Sequence, residues 1–299
     1  MNSDHRKKTM SLNILKRLKN YAELMRLDKP IGTFLLLWPT LWSIWLASEG
    51  QPQAKIIIIF LLGVLTMRSA GCVINDFADR KFDPFVERTK NRPLARGAVS
   101  AFEALMLFTC LSLIGIFLAL QLNYKTQLFA VAGGCITIIY PFIKRFFSIP
   151  QLILGIAFGW ACPMAFTAQV GNVTKLGWIV FSTAIIWAVI YDTFYAMSDR
   201  KDDLKIGIKS TAILFGQHDL LIIFGAQLLM IINLIYIGKI AELGYLFYIS
   251  IGVATIFMMY QQWLARDRVS QNCFAAFMNN NYVGMAIFIG ISADYMLTL

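Results

Sequence analysis

Between Ile56 and Asn75 the only charged residue is Arg68. Apolar runs of this kind recur along the chain, at about 31–48, 56–75, 102–122, 127–143, 149–168, 176–197, 219–237, 241–263 and 273–293. Most are long enough to cross a bilayer core of about 30 Å as helix. In lipid every backbone amide must find its partner inside the chain, which leaves helices and closed barrels. Barrel strands are short and alternate apolar with polar residues, and these runs do neither. The expected fold is therefore all-α, a polytopic membrane protein with nine transmembrane helices. A composition of 58% hydrophobic and 15% charged residues excludes an ordinary soluble domain.

Charge orients the spans. Eight Lys and Arg lie in 1–30, six in 80–96, two at Lys144 and Arg145, four in 200–209, and two at Arg266 and Arg268. The alternate gaps hold one each: Lys55, Lys125, Lys175 and Lys239. The positive-inside rule then places the N-terminus in the cytoplasm, and nine spans place the C-terminus outside. The expected location is a bacterial inner membrane. Residues 1–25 read as a basic cytoplasmic segment without the apolar core of a signal peptide, and 26–299 as one intramembrane domain. The net charge of +10 sits on the inner side, where it would meet anionic lipid. No nucleic-acid partner and no obligate protein partner is expected. Cys72, Cys110, Cys135, Cys162 and Cys273 stand singly and, with only two histidines, suggest neither a zinc site nor a disulfide framework.

The string Asp-Arg-Lys-x-Asp occurs twice, at Asp79–Asp83 and Asp199–Asp203, each after an apolar run. Both runs cross from outside to inside, so both strings face the cytoplasm at one depth. If the second run continues as helix, Asn75, Asp79 and Asp83 fall on one stripe at i, i+4 and i+8. Asp192, Asp199 and Asp203 form another at i, i+7 and i+11, with Tyr195 beside it. Clustered carboxylates in a partly dry site resist ionisation unless a cation joins them. A hard ion that keeps waters and shares carboxylates with phosphate oxygens is Mg²⁺. The neighbouring bases Arg80, Arg92, Arg96, Lys144, Arg145, Arg200, Lys205 and Lys209 would take the remaining oxygens of a diphosphate. A diphosphate site at the rim of a membrane protein points to a lipid diphosphate with its tail among the helices. Arg68 lies two turns deeper than Asn75, where a charge is costly and by default functional. It could pair with Asp192, or bind an anionic co-substrate such as a carboxylate.

Other features read more plainly. Trp38, Trp42 and Trp45 suit packing or interfacial roles. Pro39 and Pro163 are expected to kink their helices. Gly155 and Gly159 form a GxxxG suited to close helix packing. Asn279, Asn280 and Asn281 fall inside the last span, where they would cap, pack or line a cavity.

NDxxDxxxD at Asn75–Asp83 and YDxxYAxxDxxxD at Tyr191–Asp203 resemble the UbiA superfamily of intramembrane aromatic prenyltransferases. LDKPIGTFLLLWPTLW (27–42), NRPLARG (91–97), YPFIKR (140–145), YDTFYAMSDRKDDLKIGIKSTAILFG (191–216) and FMNNNYVG (277–284) resemble its branch that prenylates 4-hydroxybenzoate on the way to ubiquinone. The resemblance runs from about residue 25 to 295. It implies nine helices around a central cavity, an active site at the cytoplasmic rim, and Mg²⁺ with a polyprenyl diphosphate. By position, Asn75, Asp79, Asp83, Asp199 and Asp203 would hold metal and diphosphate, and Arg145 would contact diphosphate. Asp192 belongs to the second motif, and Arg68 would help place the aromatic acid. The implied reaction ionises the allylic C–O bond and joins the cation to the ring carbon ortho to the phenol. Water must be kept out, and loops 80–100 and 198–210 are the expected lids.

Two rivals differ in chemistry. A relative could use naphthoate, homogentisate or haem as acceptor. A transporter could use its acids to carry cations or protons, although its acids would sit near the midplane rather than the rim. Arg68→Ala is predicted to raise KM for the aromatic acid more than KM for the diphosphate. Steady-state kinetics with each substrate varied test this, and equal rises would remove Arg68 from that role.

Overall fold

The computed structural model describes residues 14–85, 88–143, 149–207 and 209–298. A short helix, α1 (14–24), precedes eleven more. These are α2 (Ile31–Ala47), α3 (Ala54–Asp79), α4 (Ala101–Leu120), α5 (Tyr124–Ile143), α6 (Pro150–Gly159), α7 (Ala161–Val170), α8 (Lys175–Ile206), α9 (Thr211–Phe215), α10 (Asp219–Ile240), α11 (Tyr245–Ala265) and α12 (Ser270–Thr298). No strand occurs among the described residues. Helix covers most of each of the nine expected runs, but among the described residues length and composition qualify six stretches to cross a bilayer. They are Ala54–Asp79, Ala101–Leu120, Pro150–Val170, Lys175–Lys205, Thr211–Ile240 and Ser270–Thr298, with Ile31–Ala47 apolar but shorter. The chain is a multi-pass membrane protein, and its apolar outer residues, such as Leu113, Phe117, Ile232 and Ile256, are exposed as lipid-facing side chains are.

The fifth run is broken. α6 ends at Gly159 and α7 starts at Ala161. Pro163 has no amide to give the Gly159 carbonyl, and its ring crowds that carbonyl, so the helical bonding lapses one turn upstream, at Trp160, whose own backbone stays helical at φ −60° and ψ −24°. Pro39 leaves α2 continuous. The two glycines of the GxxxG let α6 press on α8. A Cβ at Gly155 would lie 3.0 Å from the Ile185 carbonyl oxygen, and one at Gly159 3.1 Å from Phe181.

The three asparagines tie α12 to its neighbours. Asn279 Oδ1 accepts from Gln261 of α11, Asn280 Oδ1 from the Trp187 indole of α8, and Asn281 Oδ1 from the Trp38 indole of α2. The Trp42 indole donates to the Gly284 carbonyl, and its ring packs 5.2 Å from Trp187. Polar side chains inside the core are thus bonded across helices, as burial requires. The tryptophans pack, as expected.

α3 and α8 position the site by their length. At 1.5 Å per residue their 26 and 32 residues extend about 39 and 48 Å. Both outrun the hydrocarbon core, so their last turns carry polar residues to the rim. α8 stops at Gly207, which adopts φ +71°, a left-handed conformation suited to glycine. Residues 198–206 are therefore helix, and the lid expected over 198–210 shrinks to the short turn after it. α10 begins at Asp219, which is fully buried and takes hydrogen bonds from Arg200 and Arg268.

Gly284 faces both Trp38 and Trp187, and a Cβ there would lie 2.5 and 2.6 Å from their rings. Overpacking at this junction costs about 1–3 kcal/mol. Gly284→Ala should lower the thermal midpoint in detergent by several degrees, whereas an unchanged midpoint would mean that α12 shifts freely.

Candidate functional site

One cavity of about 1680 Å³ opens at the rim where α3 and α8 end. Arg68, Asn75, Asp79, Asp83, Asp192, Tyr195, Asp199 and Asp203 all line it. The structure therefore brings both motifs and the deeper arginine to one space. Lys144 and Arg145 lie outside the described residues. Deeper walls come from α2 to α7 and are apolar, with Leu35, Ile59, Phe60, Leu118, Ala130 and Met164 among them.

The two stripes differ from expectation in one respect. Asn75 and Asp79 stand one turn apart on α3, but the helix ends at Asp79. Asp83 opens a separate 3-10 turn, Asp83–Phe85. Pro84 disfavours helix at the residue before it. Asp83 reaches the cavity because Arg92 draws it back: Arg92 Nη1 donates to both Asp83 oxygens at 3.2 and 3.0 Å. The second stripe holds, since Asp192, Asp199 and Asp203 all lie on unbroken α8.

The same Arg92 Nη1 donates at 3.0 Å to Asp76, which is 1% exposed. Arg26 meets Asp76 from the other side, its Nη2 giving both oxygens hydrogen bonds of 2.9 and 2.7 Å. Asp76 thus binds the chain before α2 to the chain after α3. Asp83 feels the crowding. Burial pushes its carboxyl above the usual carboxylate range, Asp76 and Asp79 push the same way, and Arg92 opposes them.

Across the cavity Arg88 makes a fork with Asp199, Nε to Oδ1 at 2.9 Å and Nη2 to Oδ2 at 2.5 Å. Its guanidinium lies 4.4 Å over the Tyr195 ring. This pair is more open than the Arg92 pairs, Arg88 being 40% exposed against 19% for Arg92. Arg68 donates to Cys72 Sγ and lies 5.7 Å from the Phe158 ring centre.

The bases divide. Arg88, Arg92, Arg96 and Lys209 line the cavity. Arg80, Arg200 and Lys205 do not. Arg80 bonds back to the Phe77 carbonyl, Arg200 turns to buried Asp219, and Lys205 pairs with Asp202. Residues adjacent on α8 point about 100° apart, so Arg200 cannot face where Asp199 faces. The sequence reading missed Asp76, Arg26 and the Arg88–Asp199 fork. Asp76 left a signal as a second acid in NDFAD, while the arginine partners are tertiary and left none.

Among the described residues no three carboxylate, His or Cys groups converge closely enough to hold a metal alone. The donors that do line the cavity are hard oxygens, on α3 with its following turn and on α8. Such a set suits an ion that keeps waters and completes its shell with phosphate oxygens. It does not suit a soft or caged metal.

The chain matches the UbiA prenyltransferase family over residues 36–283. It is 52% identical over 286 residues to a 4-hydroxybenzoate octaprenyltransferase of Marinomonas sp., covering 95% of this chain and 100% of that one. It is 51% identical to the enzyme of the same name from Coxiella burnetii, covering 95% and 99%. Among solved structures, the apo form of a UbiA homolog from Aeropyrum pernix K1 aligns with TM-score 0.74 at 24% identity, over 89% of this chain and 97% of that one. A UbiA homolog from Archaeoglobus fulgidus bound to DMAPP and Mg²⁺ aligns with TM-score 0.71 at 19% identity, over 94% and 100%.

Removing one partner of a buried pair leaves an uncompensated charge and costs about 3–5 kcal/mol. Asp76→Asn should therefore lower the thermal midpoint and speed proteolysis within 80–100, measured on purified protein in detergent. Unchanged cleavage there would show that Asp76 does not hold this loop.

Proposed function

The chain belongs to the UbiA prenyltransferase family, and from that premise we propose how its cavity transfers a polyprenyl group to 4-hydroxybenzoate. The C–O bond to the diphosphate breaks, the polyprenyl group joins the ring carbon ortho to the hydroxyl, and that carbon loses its proton, an early step of ubiquinone synthesis. The observation that carries the site assignment is one cavity that joins both Asp motifs, Arg68, Arg88, Arg92 and an apolar chamber. About 50% identity to enzymes named for this reaction, over nearly the whole chain, supports the acceptor.

Asn75, Asp79, Asp83, Asp199 and Asp203 would hold Mg²⁺ together with the diphosphate. The bound ion supplies positive charge that stabilises the departing diphosphate. Arg88 presents its guanidinium at the same mouth and would bind the remaining phosphate oxygens, while Arg92 keeps its Nη1 on Asp76 and Asp83. Lys144 and Arg145 are assigned to the same head group by their place in the sequence, and Tyr195 and Asp192 to the substrate side of α8. Arg68 anchors the carboxylate of the aromatic acid below the diphosphate. The apolar walls receive the polyprenyl chain and exclude the water that would quench an allylic cation. Residues 88–100, tied to Asp76 and Asp83 through Arg92, would shield the reacting centre from the aqueous side.

The rim lies in the cytoplasm. Twenty-two of the 27 Lys and Arg fall in the tail and gaps on that side, which the positive-inside rule assigns to the cytoplasm of a bacterial inner membrane. The C-terminus of α12 is then periplasmic.

Membranes containing the protein should convert a polyprenyl diphosphate and 4-hydroxybenzoate to the prenylated acid, detected by mass, with Mg²⁺ but not with EDTA. Asp79→Asn should reduce the rate by at least about a hundredfold, the loss typical for a preorganised electrostatic group. Turnover of another aromatic acid alone would change the acceptor. Retained rate in Asp79→Asn would move the diphosphate site.

A further inference from the structure

Tyr191 is 2% exposed and lines the cavity, yet its hydroxyl has no hydrogen-bond partner among the described residues. A buried hydroxyl left unbonded is a free-energy cost that native proteins rarely carry without use. The ring cannot turn away to relieve it. The Trp187 ring packs edge-on against it at 5.4 Å, Phe277 lies at 6.2 Å and Phe158 at 6.4 Å.

Phe158 links this hydroxyl to Arg68, since the same ring lies 5.7 Å from the Arg68 guanidinium. Arg68 is fixed in turn. Gly32 of α2 leaves the space its guanidinium fills, and a Cβ there would collide with it. A cation, a flat aromatic wall and an unbonded hydroxyl therefore line one part of one cavity.

Arg68 reaches toward the rim, since its Nη1 donates to Cys72 one turn on. Cys72 precedes Asp79 by seven residues on α3, and Tyr191 precedes Asp199 by eight on α8. At 1.5 Å per residue, the Arg68 guanidinium and Tyr191 both lie about 10 to 12 Å below the motif rim. An aromatic acid held by its carboxylate on Arg68, with its ring along Phe158, directs its far end across the cavity toward Tyr191. We propose that the Tyr191 hydroxyl hydrogen-bonds the 4-hydroxyl of the aromatic acid. Tyr191 is thus a specificity-determining residue. It selects acids oxygenated opposite the carboxylate and fixes the adjacent ring carbon beneath the diphosphate. The inference deepens the reading above and rests on it.

The test uses the full-length protein in membranes. Tyr191→Phe removes only the hydroxyl. KM for 4-hydroxybenzoate should rise about two- to tenfold, the worth of one hydrogen bond. Inhibition by benzoate, which has the carboxylate but no 4-hydroxyl, should keep its Ki. The thermal midpoint should stay or rise, because no protein partner is lost. An unchanged KM overturns the proposal. A benzoate Ki that rises in step overturns it too, by placing the effect at the carboxylate end. A lower midpoint or a failure to fold overturns it by showing that the hydroxyl is bonded within the protein. If the unsubstituted protein makes no product from 4-hydroxybenzoate, the underlying acceptor assignment fails, and this inference fails with it.

Discussion

A carboxylate next to hydrocarbon must find its counter-charge within the chain, and at Asp76 that demand organises the rim. Asp76 sits at the end of α3, almost without solvent. Desolvation of such a group is repaid only by close and well-directed partners. Arg26 and Arg92 provide them from chain on either side of α2 and α3. Because Arg92 also holds Asp83, the first motif recovers its third member after the helix has ended. Asp219 repeats the arrangement on the other side, between Arg200 and Arg268. The arginines of the basic side therefore differ in what engages them. Arg200 and Arg268 are engaged by a buried acid away from the cavity, Arg26 and Arg92 by a buried acid at its edge, and Arg88 by a more open one.

Below the rim the same rule works through smaller groups. Indoles of α2 and α8 donate to the asparagines of α12. Without such bonds each polar atom would cost several kcal/mol in an apolar interior. Glycines do the opposite work by removing side chains. Gly155 and Gly159 bring α6 against α8, and this contact sets Phe158 beside Tyr191. Gly32 opens the slot for Arg68. The polar depth of the cavity thus depends on three positions where a methyl group would not fit.

Much of this was legible in the sequence because membrane solvent leaves few choices. Apolar length gave the helices, and two acids repeated at helical spacing gave the two walls of the cavity. The failures share a cause. Asp83 was read as helical, but Pro84 disfavours helix at that residue and local chemistry overruled periodicity. Arg200 was read as facing substrate, but its neighbour Asp199 takes that face and α8 turns Arg200 toward Asp219. The break at Trp160 follows from Pro163, yet whether a proline bends a helix or divides it depends on what packs there. Arg26, Arg88 and Tyr191 draw their meaning from partners 50 to 111 residues away, or from having none. No spacing rule reaches that far.

The two arginines over the cavity mouth are unequal, and the inequality suits a site that must open and close. Arg92 spans Asp76 and Asp83, both less than 10% exposed. Breaking those contacts strands charge in a dry place. Arg88 is 40% exposed in its pair with Asp199, which is 16% exposed, so water screens this pair more than the Arg92 pairs. A carboxylate so held can exchange its guanidinium for another cation at less cost than Asp76 or Asp83 could. On the proposed assignment the released guanidinium would remain at the mouth, beside the diphosphate. Charge would be conserved in that exchange, and the Arg92 contacts to Asp76 and Asp83 would hold. A loop anchored firmly at one point and weakly at another can admit a charged head group without exposing the apolar chamber beneath it.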